Sequence, residues 1–272
     1  MKKRQHKVAV YGSAALIGYL LPLHVIPYAA PLHPKWSGYY YDQLGTEIPV
    51  QLNAYRQNYH KAENLDKLSE ARPELILCPA GLEAWEKEQL GAIGKLYEMP
   101  GDHLGWKRQL REVAAFLGEE AEAERWISAF ECKAAAARAN FQPLFSRTTV
   151  LTLRLYHGQF FAHCNLGIQE VLYRSLGLRS SYPQKAAPFN LPLALEQLDA
   201  SSADHILLLV CKEAKTLEGW KRLRQSSDWL SLRVVRENRL RQIGSEPWRE
   251  YSPAALDRML DESLRLFSGD RL

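Results

Sequence analysis

The sequence predicts an α/β fold built as two lobes with mostly parallel sheets, joined by one long helix. Three observations carry this. Short aliphatic runs such as KVAVYG and DHILLLV alternate with amphipathic helical stretches, the pattern of parallel strands with helices crossing back between them. A stretch of 24 residues from Gly118 to Phe141, GEEAEAERWISAFECKAAAARANF, is rich in Ala and Glu and holds no Pro. The chain also repeats itself on either side of that stretch. Leu65, Leu68 and Glu74 ahead of Leu75, Ile76 and Leu77 recur as Leu195, Leu198 and Asp204 ahead of His205, Ile206 and Leu207, at a constant offset of 130 positions.

The first element raises a question of processing. The chain opens MKKRQHKVAVYGSAALIGYLLPLHVIPYAAP, and a basic start followed by an apolar stretch is what a secretion signal shows. Here the apolar part is broken by Gly18, Pro22, His24 and Pro27. VAVYG parallels VLTLRLY in the repeat, and LLPLHVIP parallels LYRSLGLRS. Met1 to about His6 therefore reads as a tail and the rest as the first strand and helix of the first lobe. In this pairing His24 stands where Gly177 stands. Glycine suits the left-handed residue that ends a helix, and histidine is among the residues that visit that region. A mature chain beginning after Ala30 would contradict the reading.

The remaining elements follow in order. PVQL, ELILC and GKLYEM read as strands, with ENLDKLSEA and WKRQLREVAAFLG as helices among them. The Ala- and Glu-rich stretch predicts one helix from about Glu119 to about Asn140, with Pro143 as its stop. TVLTLRLY, FFAH, DHILLLV and LRQIG are the strands of the second half, the first two forming a hairpin with Gly158 at its turn. IQEVLYRSLG, LALEQLDA and PAALDRMLDESLRLF are its helices. The partition predicted is a first lobe over 1–118, the bridging helix over 119–142 and a second lobe over 143–272.

Composition narrows the function. The 272 residues are 46% hydrophobic and 24% charged, ordinary for a globular protein that buries a sizeable core. The formal net charge of +4 is too small to argue for nucleic acid, yet it suits an anionic ligand if focused in a cleft. No run of about 20 apolar residues exists to insert in a membrane. The cysteines, Cys78, Cys132, Cys164 and Cys211, form no CxxC pair and read as free thiols packed like small hydrophobes. No P-loop, GxSxG, HExxH or dinucleotide fingerprint occurs, and no nucleophile–base pair is evident. The protein is expected not to be an enzyme, with no catalytic residue, no metal site and no cofactor. His157, His163 and Cys164 fall together in YHGQFFAHC, but the hairpin accounts for them. VAAFLGEEAEAERWI imitates a helix-turn-helix around Gly118, and the long helix explains it better, since no basic recognition helix follows.

Seven segments in order carry a family resemblance. They are KVAVYG with LLPLHVIPYAA, ENLDKLSEARPELIL, LREVAAFLGEEAEAERWISAFE, LRLYHGQFFAHCNLGIQEVLYRSLGL, LALEQLDASSADHILLLV, SDWLSLRVVRENRLRQIG and SEPWREYSPAALDRMLDESL. Together they resemble the class III periplasmic-type substrate-binding proteins, the iron-siderophore and cobalamin binders of ABC importers. The resemblance implies two Rossmann-like lobes joined by one bridging helix, and a ligand held between lobes without catalysis. The carboxyl ends of the parallel strands would face it, as the general rule for open α/β sheets also requires.

Candidate ligand-binding residues follow from those positions. Arg154 lies in TLRLY, where siderophore binders resembling this chain often carry an arginine that meets the iron chelate. Tyr156 shares its face. Lys212 follows ILLLVC directly, and Trp248 and Arg249 follow LRQIG, where the family often has a tryptophan. In the first half, Ser13 opens the turn after the first strand. Lys35, Trp36, Tyr39 and Tyr40 lie in the aromatic loop HPKWSGYYYDQLG, and Pro79, Ala80 and Gly81 are candidates by position alone.

The resemblance implies that the ligand is a ferric siderophore, anionic and catecholate-type, whose charge cationic side chains would answer. Cobalamin or haem is the related alternative. Some AraC-type transcriptional regulators carry a domain of this family that senses siderophore in the cytoplasm. The first cysteine, Cys78, comes far too late for a lipid anchor, and the opening stretch reads as structure, so a cytoplasmic sensor of iron uptake is the expectation. DNA would then be met only through a fused domain outside this chain. The alternative is an importer component at the cell surface that docks on an ABC permease.

Overall fold

The computed structural model describes residues 6–54, 60–101, 104–145, 147–181, 191–200 and 203–268. The chain divides into two compact units, Met1–Ala129 with Ser252–Ala254, and Phe130–Tyr251 with Ala255–Leu272.

In the first unit the order is β1 (Val8–Val10), α1 (Ile17–Leu20), β2 (Ala29–Pro31), α2 (Gly38–Leu44), β3 (Val50–Leu52), α3 (Lys61–Ala71), β4 (Leu75–Cys78), α4 (Ala84–Ile93), β5 (Lys95–Glu98) and α5 (Trp106–Leu117). The strands lie in the order β3-β2-β1-β4-β5, and every pair is parallel. β1 and β4 are buried along their whole length, which is why they read as continuous apolar runs: helices cover both faces of a parallel sheet. Ala9, Tyr11, Leu52, Leu65, Leu68, Ile76, Cys78 and Leu90 share one core. α5 buries Trp106, Leu110, Val113, Ala114 and Leu117, a stripe at helical spacing. Ser252 is fully buried in this unit. A methyl group at Gly18 would lie 2.7 Å from the Tyr40 hydroxyl and closer still to Ser252, so only glycine fits there.

α6 (Glu120–Phe145) has 26 residues, and the division between units falls inside it, between Ala129 and Phe130. Pro143 does not stop this helix as expected; it lies within the last turn. Proline's fixed φ is itself helical, and at this end of the helix its missing N–H gives up one bond to the preceding turn.

The second unit continues with β6 (Thr149–Tyr156), β7 (Gln159–Ala162), α7 (Leu166–Ile168), which runs on as a π-helical turn over Gln169–Ser175, β8 (Arg179–Ser180), β9 (Leu191–Leu193), α8 (Glu196–Ala200), β10 (His205–Val210), α9 (Ala214–Leu223), α10 (Ser227–Ser231), α11 (Arg233–Arg236), β11 (Leu240–Ile243) and α12 (Pro253–Ser268). Its strand order is β11-β10-β6-β7-β9, with β8 also paired to β6. β10 runs parallel to both β6 and β11. β7 returns antiparallel along Leu153 to Tyr156, while β8 pairs parallel with Thr149 and Val150. His157 and Gly158 both take positive φ, 48° and 79°, which a two-residue hairpin turn needs.

The sequence repeat is structural. Val8 pairs with Leu75 and Ala9 with Ile76; Val150 pairs with His205 and Leu151 with Ile206. Ahead of those strands the Glu74 amide donates to the Lys7 carbonyl at 2.8 Å and the Asp204 amide to that of Thr149 at 3.0 Å. His24 and Gly177 both take the left-handed conformation, with φ of 56° and 77°. No helix among the described residues is long and apolar enough to cross a membrane.

Candidate ligand-binding site

β6 is lined on one face by Leu151, Leu153 and Leu155, which join the core of the second unit. Alternation then places Arg154 and Tyr156 together on the other face. The hairpin sets Phe161 opposite Arg154 in register. The Arg154 guanidinium sits 5.3 Å from the Tyr156 ring centroid and 5.6 Å from that of Phe161, and Tyr156 in turn stacks on His157 at 4.1 Å. Both rings attract the cation by their quadrupoles and narrow its motion. Arg154 has no carboxylate partner among the described residues, and its Nε is buried without a hydrogen bond.

β10 ends beside it. Leu209 is the register partner of Arg154, and the Cys211 amide donates to the Leu155 carbonyl at 3.1 Å. Burial pushes the Cys211 thiol up, Arg154 opposes that shift, Glu213 adds to it and Arg249 opposes it again. Three charges on three different segments are therefore within electrostatic reach of one thiol. Lys212 is exposed between Cys211 and Glu213, and Arg249 is exposed after β11. Glu213 precedes α9, and its Oε2 is buried with no hydrogen-bond partner. Arg154, Tyr156, Lys212 and Arg249 thus gather at one end of the second sheet. Sequence reasoning missed Phe161 and Glu213. Phe161 was readable, since a two-residue turn at His157 and Gly158 fixes what faces Arg154; nothing marked Glu213.

Trp248 departs from expectation. It has no exposed surface, and its carbonyl accepts the Asn165 side-chain amide at 2.7 Å. Asn165 also caps α7 by accepting the Ile168 amide at 2.8 Å. The indole is a packing group here and presents no face to a solute.

The first-unit candidates form no such cluster. Ser13 is half-buried and precedes a single turn over Ala14–Leu16 without making a side-chain capping hydrogen bond. Lys35 and Trp36 are exposed; Trp36 stacks on His33 at 4.1 Å, and the Lys35 amide donates to His33 Nδ1 at 3.0 Å. Tyr39 is half-buried and meets Tyr40 edge-on at 5.4 Å. Tyr40 corrects the expectation of an open aromatic loop: it is 1% exposed, its hydroxyl turned in towards Gly18. Beyond β4, Pro79 is half-buried, and Ala80 and Gly81 are exposed, with the Gly81 amide donating to Glu98 at 2.8 Å.

An ion cluster that the sequence did not announce lies behind that strand end. Lys61 donates to Glu86 at 2.8 Å and to Glu83 at 2.9 Å, and the Tyr11 hydroxyl donates to Glu86 at 2.9 Å. Burial pushes the Glu86 carboxyl up, but the hydrogen bonds from Lys61, Tyr11 and the Glu83 amide outweigh it and leave the carboxyl below its usual range. The Trp85 indole closes the set by donating to Glu83 at 2.7 Å.

Comparison with known proteins places these features. A family profile described as Periplasmic binding protein matches residues 8–247. The HTH-type transcriptional activator Btr of Bacillus subtilis is 37% identical over 270 residues, covering 99% of this chain and 50% of the activator. The iron-uptake system-binding protein of the same organism is 22% identical over 178 residues, 64% of this chain and 56% of that protein. The chain thus spans about half the length of these two relatives. Among solved structures, the triscatecholate siderophore binding protein FeuA from B. subtilis, complexed with ferri-bacillibactin, superposes with a TM-score of 0.74 at 20% identity, over 97% of this chain and 93% of that one. FhuD2 from Staphylococcus aureus with bound ferrioxamine B gives 0.74 at 14% identity, over 95% and 96%. At these identities the likeness is one of fold.

Proposed function

The chain belongs to the periplasmic binding protein family, and from that membership we propose that it binds a ferric siderophore, an anionic catecholate-type chelate, without catalysis. The observation that carries this is Arg154, a cation set between two rings with no carboxylate partner among the described residues. A ferric tris-catecholate carries about three negative charges, and an arginine fork answers its oxygens with charge-assisted hydrogen bonds. No ion pair has to be broken first, and the rings have already removed part of the side chain's freedom, so less is lost on binding. Lys212 and Arg249 add positive charge at the same strand end. Tyr156 supplies a wall, and Ser13, Lys35, Trp36 and Tyr39 remain candidate ligand contacts by their place in the sequence.

The role proposed is that of a cytoplasmic sensor in an iron-uptake transcriptional regulator, supported by the likeness of nearly the whole chain to half of a transcriptional activator. DNA would be met by a separate domain. The match to an iron-uptake system-binding protein favours a second reading, an importer component that hands its chelate to a permease. The reading frame from which the chain comes separates the two.

The binding reading is tested by titrating the protein with ferric chelates while following its tryptophan fluorescence. Quenching that saturates with a ferric catecholate is expected. No response to any catecholate or hydroxamate chelate, or a spectral shift with cobalamin or haem alone, overturns it.

A further inference from the structure

The positive charge of this protein is concentrated in the segment that follows Lys212 and Glu213. Residues 214–241, from α9 through β11, carry eight Lys and Arg against three Asp and Glu, whereas the rest of the chain carries 27 against 28. The excess is therefore local. α9 and α10 pack side by side through an edge-on contact of Trp220 and Trp229 at 4.9 Å, and both rings join the core with Leu232 and Val234. What the helices turn outward is different. Leu217 and Lys221 fall on one stripe of α9, Arg224 at its C-terminal cap continues it, and all are exposed. Leu217 is 39% and Leu230, on α10, is 52% exposed. Arg222, Arg233 and Arg239 are paired with carboxylates. Lys215, Lys221, Arg224 and Arg236 are exposed with no ion pair among the described residues.

We propose that the exposed stripe of α9, with the neighbouring α10, docks an acidic amphipathic helix of a partner protein, its carboxylates meeting Lys221 and Arg224 and its apolar stripe covering Leu217 and Leu230. Charge complementarity selects the partner, and exposed leucines among unpaired cations are what helix-in-groove recognition uses. A nucleic acid fits less well. Phosphates make no use of leucines, and the tryptophans on which bases would stack are buried. A lipid surface fits less well too, because an interfacial helix offers a broad apolar face and α9 has turned its own into the core.

The test is fluorescence anisotropy of the full chain with a labelled synthetic helix of Leu, Glu and Ala whose leucines share one face. Saturable binding is expected. It should weaken about tenfold in the Lys221→Glu, Arg224→Glu double variant and about fivefold in Leu217→Ser with Leu230→Ser, both at exposed positions that leave the melting temperature unchanged. The same residues rearranged so that the leucines no longer share a face should bind less tightly. Absence of saturable binding, equal binding by the variants, or tighter binding of a short DNA duplex or anionic vesicles through the same residues overturns the proposal.

Discussion

Arg154 owes its readiness to Tyr156 and Phe161, which occupy the positions a carboxylate would take in an ordinary strand. Replacing it with Ala should weaken chelate binding at least tenfold, about 1.4 kcal/mol or more, with little change in melting temperature because no ion pair is lost. An unchanged affinity by fluorescence titration would remove Arg154 from the site. Glu86 makes a prediction of the opposite kind, about stability. Its pKa is lowered in the folded state, so its contribution is fully present above the ordinary carboxylate value and disappears as pH falls through the lowered one. Denaturation midpoints followed from neutral pH into acid should fall below about pH 4. In Glu86→Gln that acid limb should be flatter and the protein less stable at pH 7, since Lys61 loses one of its two carboxylates. Tyr40 and Trp248 show where a residue's chemistry misleads. An aromatic ring in a loop looks the same in sequence whether it faces water or turns inward, and the close approach of Gly18, far back in the chain, decides the case for Tyr40.

The elements differ in how openly the chain declared them. Strands with three or more aliphatic residues in a row, such as β4 and β10, were legible because nothing else buries so much apolar side chain in so short a span. β8 and β9, with two and three residues, were not, since so few residues cannot show alternation and their hydrogen-bond partners lie on other strands. The helix expected over IQEVLYRSLG is present but opens into a π turn, a change of hydrogen-bond register that side-chain periodicity does not report. Its start depends on Asn165, which joins the α7 cap to the Trp248 carbonyl. Asn165→Ala should cost about 1–2 kcal/mol, measurable by urea denaturation, whereas Asn165→Asp should keep the cap and lose only the bond to Trp248.

For the whole molecule, the fold was legible because the same strand–helix–strand phrase is written twice, and in each sheet its first strand pairs in parallel with its last. The site was legible only as positions: strand ends are predictable, but which side chains meet there depends on contacts between segments far apart in sequence. If a ferric chelate binds the folded chain and not the unfolded one, adding it must raise the melting temperature. At a hundred times the dissociation constant the gain is about 2.7 kcal/mol, and scanning calorimetry with and without the chelate should show it. The way the chain threads its units has a further consequence, for synthesis. The first unit is made almost entirely from residues up to Ala129, yet Ser252, which seats against Gly18, belongs to it as well. In a growing chain the place beside Gly18 stays unfilled until residue 252 has been made.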